Sequence, residues 1–326
     1  MDGSTGALAQ AAGEGPLVDA YAQFLAGKAQ GADVAGFKPI WLPEFLFDFQ
    51  AALVEWAILR GRAAIFADCG LGKTPMQLVW AENVRRKTGK PVLILTPLAV
   101  APQTVREAQN FGIDCQLSRD GTVMPAITVT NYDQLHKFTP AAFAGVVCDE
   151  SSGLKHFDAQ RTASVIDFMR ETPYRLLCTA TAAPNDYIEL GTSAEALGQM
   201  GFRDMLTKFF KQSVGGGENG LAWGRAKYRL RGHAEHDFWR WVCSWARAAR
   251  KPSDLGFDDA RFVLPPLTVT EHVVSATTKC EGALIDLPAV TLPEQREERR
   301  RTISDRCAVA ARLINAHDKP AIALCH

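Results

Sequence analysis

The stretch Ile65-Phe66-Ala67-Asp68-Cys69-Gly70-Leu71-Gly72-Lys73-Thr74 runs from an apolar segment into a glycine-bearing turn and closes on Gly-Lys-Thr. Residues 62–66 read as a buried strand, and residues 76–86 carry apolar side chains at helical spacing, so the glycines fall at a strand-to-helix junction. A phosphate-binding loop requires that setting. Gly70 and Gly72 let backbone N–H groups close around phosphate oxygens, and the helix N-terminus adds partial positive charge. Lys73 would reach the terminal phosphates and Thr74 would hold Mg²⁺. Ala67 stands where the motif usually begins with glycine. A glycine-rich turn with a surface lysine is the plainer alternative, and the full spacing and both flanking elements argue against it.

Outward from the loop, apolar strands and amphipathic helices alternate: residues 91–96, 101–110, 126–131 and 143–148. Alternation of this kind predicts an α/β fold with a parallel sheet and helices on both faces. Ligands of such sheets gather at the carboxyl ends of the strands. The segments there are Thr96-Pro97, Thr130-Asn131-Tyr132, Asp149-Glu150-Ser151-Ser152 and Thr179-Ala180-Thr181. Asp149 and Glu150 end a strand that composition marks as buried, where adjacent carboxylates are expensive unless a cation or a reacting water uses them. Asp149 suits the Mg²⁺ position and Glu150 the base that orients or deprotonates an attacking water. A strand ending in a solvated acidic turn is the bland alternative. Gln50, upstream of the loop in the segment that leads into an expected helix over residues 51–60, carries an amide able to pair with adenine, although a lone glutamine is commonly just solvated.

Composition bounds the rest. The chain has 326 residues, room for about two domains by the usual size prior. Its 36 basic and 36 acidic residues cancel, so nucleic-acid contact, if made, must be local. The eight cysteines show no Cys-x-x-Cys pair, and reduced thiols in a cytoplasmic protein are the simplest reading. No stretch has the apolar length of a membrane span.

Phe49-Gln50, the loop, Thr96-Pro97, Thr130-Asn131-Tyr132, Asp149-Glu150-Ser151-Ser152 and Thr179-Ala180-Thr181 together resemble the ordered motifs of superfamily 2 helicases. The SWI/SNF-like group is the nearest likeness, through Asp-x-Gly-Leu-Gly-Lys-Thr at the loop and DESSGLKH over residues 149–156. The paired serines resemble phage and prophage members. The resemblance covers roughly residues 45–197 and implies a RecA-like lobe that uses ATP and Mg²⁺. It implies adenine contact for Gln50, and nucleic-acid contact for Thr96, Pro97, Thr130 and Asn131. It also implies ATP-to-DNA coupling for Thr179 and Thr181, and DNA, duplex rather than single-stranded, as partner. Ser152 stands where many members place a histidine that joins the acidic box to the coupling motif. The family's catalytic cleft also needs arginines from a second lobe.

The expected division is a leader and short helix over 1–39, the RecA-like ATP-binding domain over 40–200, a helical insertion or linker over 201–318, and the start of a truncated second lobe at 319–326. Within the third segment, residues 215–220 read as a loop, followed by Trp223, Arg225, Lys227, Tyr228, Arg229 and Arg231, an aromatic and basic run suited to a phosphate backbone. Residues 235–249 read as one helix with Phe238, Trp241, Val242 and Trp245 on its apolar face. An edge strand is expected at 267–274, a single long helix at 294–316, and a buried strand from 319. A small-molecule P-loop kinase and a non-hydrolysing nucleotide-dependent clamp remain as alternatives. The first would have no use for the Thr-Pro and Thr-Asn-Tyr segments, and the intact Asp149-Glu150 pair weighs against the second.

Overall fold

A computed structural model describes residues 36–154, 160–183, 185–213, 227–263, 265–274 and 289–324. The leader over 1–15, the helix expected at 18–26, the loop at 215–220, Trp223, Arg225, Lys155 and His156 lie outside the described residues. The chain divides into two units, Met1–Val263 and Leu264–His326.

In the first unit, helix α1 (Asp48–Arg60) leads through left-handed Gly61 into strand β1 (Arg62–Ala67). Helix α2 (Lys73–Thr88), β2 (Val92–Thr96), α3 (Ala101–Asn110), β3 (Cys115–Leu117), β4 (Ile127–Asn131) and β5 (Gly145–Asp149) follow. Then come α4 (Gln160–Glu171), β6 (Tyr174–Cys178), α5 (Leu190–Leu197), α6 (Phe202–Phe209), β7 (Phe210–Ser213), β8 (Lys227–Leu230), α7 (Glu235–Trp245) and β9 (Ala246–Ala249). Seven strands form one parallel sheet in the order β3-β4-β2-β5-β6-β1-β9, while β7 and β8 pair antiparallel on their own. The expected α/β architecture is therefore the observed one.

The strand pleat sends alternate residues to two cores. Ala63, Ile65 and Ala67 of β1 pack beneath α1, α2 and α3, whereas Ala64 and Phe66 face α4 to α7. Helix α2 is buried on all sides from Met76 to Val84, so its polar residues must be satisfied internally. Asn83 accepts from the backbone N–H groups of Ile40 (2.8 Å) and Trp41 (3.0 Å) and donates to Trp41 O (2.7 Å), pinning the segment that precedes α1. Glu82 receives Arg85 and Arg86, both at 2.7 Å. Burial alone would push its carboxyl up, and the two guanidinium groups outweigh that and hold it below the usual glutamate range.

Four sequence expectations change. The helix expected over 235–249 stops at Trp245, and Ala246–Ala249 become β9, parallel to β1 along Ala64–Ala67. Alanine favours helix, but β1 would otherwise leave an edge of unpaired backbone groups there, and small side chains fit against it. Phe209, Phe210, Phe238, Val242 and Trp245 join the core shared with α4 and α5, so this stretch packs onto the sheet. Residues 265–274 form no strand: Leu267, Val269 and Val273 are at least 80% exposed, for the alternation meets no partner edge. The long helix is two, α8 (Leu292–Arg301) and α9 (Ile303–Asn315). They break at Thr302, whose hydroxyl bonds Glu298 O at 2.7 Å. Residues 320–324 make no strand within this chain, and Ile322 and Leu324 are exposed.

At the amino end of β6, Arg175 is buried without an acidic partner among the described residues. Its guanidinium donates to Arg170 O (2.5 Å) and Thr172 O (2.8 Å) at the end of α4 and to Ala196 O (3.3 Å) at the end of α5. Two helix C-termini supply the negative potential that a carboxylate would otherwise provide. Burial, with Arg62 and Arg170 nearby, still lowers its pKa to about 10. Arg175→Met strands three carbonyls and should lower unfolding free energy on the order of 3 kcal/mol in urea titration; a loss under about 1 kcal/mol would contradict this clamp.

Candidate functional site

In the loop between β1 and α2 the backbone N–H groups of Asp68, Cys69 and Leu71 are committed, that of Leu71 to Asp68 O at 3.3 Å, and the loop is also secured from outside. Gly70 (φ 84°) and Gly72 (φ 73°) take left-handed conformations that side chains resist. A Cβ on Gly72 would also lie 2.3 Å from Gln50 Nε2. Gln50 is buried, donates to Leu71 O at 2.9 Å and accepts from Phe47 N at 3.1 Å. Its place in this structure is thus a brace for the loop as well as a neighbour of the site. Asp68 N donates to Ala249 O of β9 at 3.0 Å, and Asp68 Oδ1 accepts from Cys69 N at 2.7 Å. Lys73 Nζ rests on Ala67 O at 3.1 Å and forms no ion pair among the described residues. Lysine on one carbonyl at a helix N-terminus is a cation held ready for an anion.

Strand β6 lies between β1 and β5, so its end brings Thr179 between the loop and the acidic pair. Thr179 Oγ1 donates to Glu150 Oε2 at 3.4 Å and accepts from Thr181 N at 3.1 Å. Asp149 is buried; its Oδ1 accepts from Gln77 Nε2 at 2.6 Å, and its carbonyl accepts from the Tyr132 hydroxyl at 2.6 Å. Burial pushes the Asp149 carboxyl up; the Gln77 amide opposes this, and the charge of Glu150 adds to it. Glu150 has φ 48°, the only positive φ on a non-glycine among the described residues. Such strain costs about 1–3 kcal/mol and gathers at functional sites.

Lys73, Thr74, Asp149, Glu150, Gln50 and Thr179 thus gather at the carboxyl ends of the central strands. Thr181 is exposed beside them. Thr96 and Thr130, on neighbouring strands, are fully buried, so their hydroxyls face protein while Pro97 and Leu98 reach the surface. Thr130 Oγ1 has no partner and lines a narrow recess with Leu98, Ser118, Arg119 and Asn131. The Asn131 side chain accepts from Gln134 N at 3.1 Å, capping the 3-10 turn Tyr132–Lys137. Arg229 and Arg231 lie at the separate β7-β8 ribbon, where Arg231 donates to Lys208 O at 3.5 Å. Sequence reading missed Gln77. Its signal was spacing: Lys73 and Gln77 are four apart in a helix and share a face.

Two left-handed glycines, of which Gly72 has no room for a side chain, a lysine held by one carbonyl, and a hydroxyl and carboxylate as hard oxygen donors fit a Mg²⁺-nucleotide. No cluster of three or more histidine, cysteine or acidic residues suited to another metal occurs among the described residues, and none of their cysteines is bridged. No described helix is long and apolar enough to cross a membrane.

No family model and no curated protein sequence matches the chain. Its structure is similar to the SWI2/SNF2 ATPase core of Sulfolobus solfataricus solved in complex with double-stranded DNA. Identity is 15% and TM-score 0.52, over 68% of this chain and 48% of that one. The same organism's SWI2/SNF2 ATPase core domain (18% identity, TM-score 0.45, 53% of this chain and 39% of that one) and the UvsW helicase of bacteriophage T4 (12%, 0.40, 56% and 66%) align more loosely and carry no weight here. The chain spans about half the length of the first of these. The fold it shares with that structure is the RecA-like α/β fold with a parallel sheet.

Gln77→Leu removes the amide that orients Asp149 and counters its raised pKa. Nucleotide binding measured with and without Mg²⁺ should show a loss of about 10-fold or more confined to the Mg²⁺-dependent part, and equal losses in both would contradict the assignment.

Proposed function

We propose that this chain is the ATP-binding and ATP-hydrolysing lobe of a DNA helicase or translocase motor. The observation that carries the reading is the strained corner Asp149-Glu150, its acids steered by Gln77 and Thr179, at the strand ends next to a phosphate loop whose lysine is uncommitted. Lys73 and the α2 N-terminus bind the terminal phosphates. Thr74 and Asp149 would hold Mg²⁺, which supplies charge neutralisation on the phosphates. Glu150 orients the attacking water and takes its proton. Gln50 recognises the adenine edge with the amide N–H and lone pair left over by its bonds to Leu71 O and Phe47 N.

DNA as the track, duplex rather than single-stranded, is supported by the resemblance and by the exposed Leu98 and Arg119 beside Asn131, where a basic side chain suits a phosphate. No arginine among the described residues bonds to Lys73, Thr74, Asp149 or Glu150. The arginines that stabilise the transferring phosphoryl group would come from a second lobe, and they are worth about 10³ to 10⁵ in rate in related chemistry. Residues 1–326 alone should accordingly bind Mg²⁺-ATP and turn it over slowly. A cytoplasmic, phage-type member of this class remains the reading for location and origin.

Lys73→Ala should abolish nucleotide binding, because it deletes the phosphate counter-charge, whereas Glu150→Gln should retain ATP and block turnover. Equilibrium binding beside phosphate release checks both, and equal loss of affinity in the two variants would remove Glu150 from the role of base. Gln50→Ala should narrow the ATP-to-GTP affinity ratio, and an unchanged ratio would leave Gln50 as a brace of the loop only.

A further inference from the structure

Tyr132 joins two parts of the lobe that its proposed function needs to communicate. It follows Asn131 directly and opens the 3-10 turn that the Asn131 side chain caps, so displacement of Thr130-Asn131 moves its backbone. At its other end the hydroxyl donates to Asp149 O at 2.6 Å. That carbonyl belongs to the peptide between Asp149 and Glu150. Rotating this peptide changes ψ of Asp149 and φ of Glu150 together, and Glu150 is the residue held at φ 48°. Among the described residues the Glu150 carboxylate is otherwise held by one long bond, 3.4 Å from Thr179. The phenolic grip is the shorter one.

The ring is only half-buried, and it lines an open groove of about 570 Å³ with Asp133, Leu135, His136 and Arg161, so the turn has room to shift.

We propose that Tyr132 is a positioning residue that sets the aim of Glu150 through the Asp149-Glu150 peptide and couples occupancy of the Thr130-Asn131 segment by a nucleic-acid backbone to the nucleotide site. The proposal rests on the motor reading and gives that reading a physical link. Reciprocity follows: if DNA tightens Mg²⁺-ATP through Tyr132, Mg²⁺-ATP tightens DNA by the same factor.

Tyr132→Phe deletes the donor and keeps the ring. A fluorescent ATP analogue with Mg²⁺ is titrated with and without a short blunt duplex DNA, on wild type and variant. In wild type the duplex should shift nucleotide affinity by about 5-fold or more, whereas in the variant the shift should fall to within about twofold of none, with the affinity for each ligand alone nearly preserved. A purely structural role would weaken nucleotide binding equally with and without DNA. Hydrogen exchange in wild type provides a readout that does not depend on the variant folding: duplex binding should change exchange at residues 149–151. An unchanged affinity shift in Tyr132→Phe, equal weakening with and without duplex, or unchanged exchange at 149–151 on DNA binding overturns the proposal and leaves the motor reading standing. A wild type that does not bind duplex DNA overturns both.

Discussion

A loop that offers its backbone N–H groups to a ligand cannot use them to hold itself. The loop from Asp68 to Thr74 meets this constraint by borrowing supports from elements distant in sequence. Gln50 of α1 grips Leu71 O, Ala249 O of β9 accepts from Asp68 N, left-handed Gly70 and Gly72 turn the chain, and at Gly72 a side chain would clash with Gln50. The sheet order makes these supports possible. Strand β1 is flanked by β6 and β9, so the loop emerges between the strand that carries Thr179 and the one that ends in Ala249. A phosphate taking up the free donors would find the surrounding bonds already made, and little reorganisation would be required.

The same economy of fixed dipoles governs the acidic corner. Two adjacent carboxylates at the end of a buried strand repel each other and lose solvation, and the raised pKa of Asp149 records that penalty. The protein answers with neutral donors: Gln77 on one Asp149 oxygen, Tyr132 on its carbonyl, Thr179 on Glu150. Neutral donors steer an acid without cancelling its charge, so the charge stays available to a cation or a water. Arg175 shows the mirror solution at the opposite end of β6, a buried cation satisfied by helix-end carbonyls instead of by an acid. Function and stability are thus separated along one strand.

Much of this was legible in the sequence, because the decisive elements are fixed by local signals. The strand-loop-helix at 62–88 and the strands ending at Thr96, Asn131 and Asp149 follow from apolar runs bounded by turn residues. What failed was governed by partners that a sequence does not display. Ala246–Ala249 has helical composition and is a strand because β1 had a free edge. Residues 267–274 alternate like a strand and lack an edge to join. At the site, the residue types at 73, 74, 149 and 150 announce their chemistry by spacing. The Gln77-Asp149, Tyr132-Asp149 and Gln50-Leu71 bonds span 72, 17 and 21 residues and become visible only once the sheet has formed.

The central claim is that the loop and the acidic corner form one Mg²⁺-nucleotide site. The most direct measurement is a crystal structure with Mg²⁺ and a non-hydrolysable ATP analogue. The account predicts that Lys73 Nζ leaves Ala67 O for the terminal phosphates, that Thr74 and Asp149 enter the metal's coordination shell, and that the Asp149 carboxylate keeps its bond to Gln77. A nucleotide bound elsewhere, or one bound at the loop with Lys73 still on Ala67 O and Asp149 remote from the metal, would contradict it.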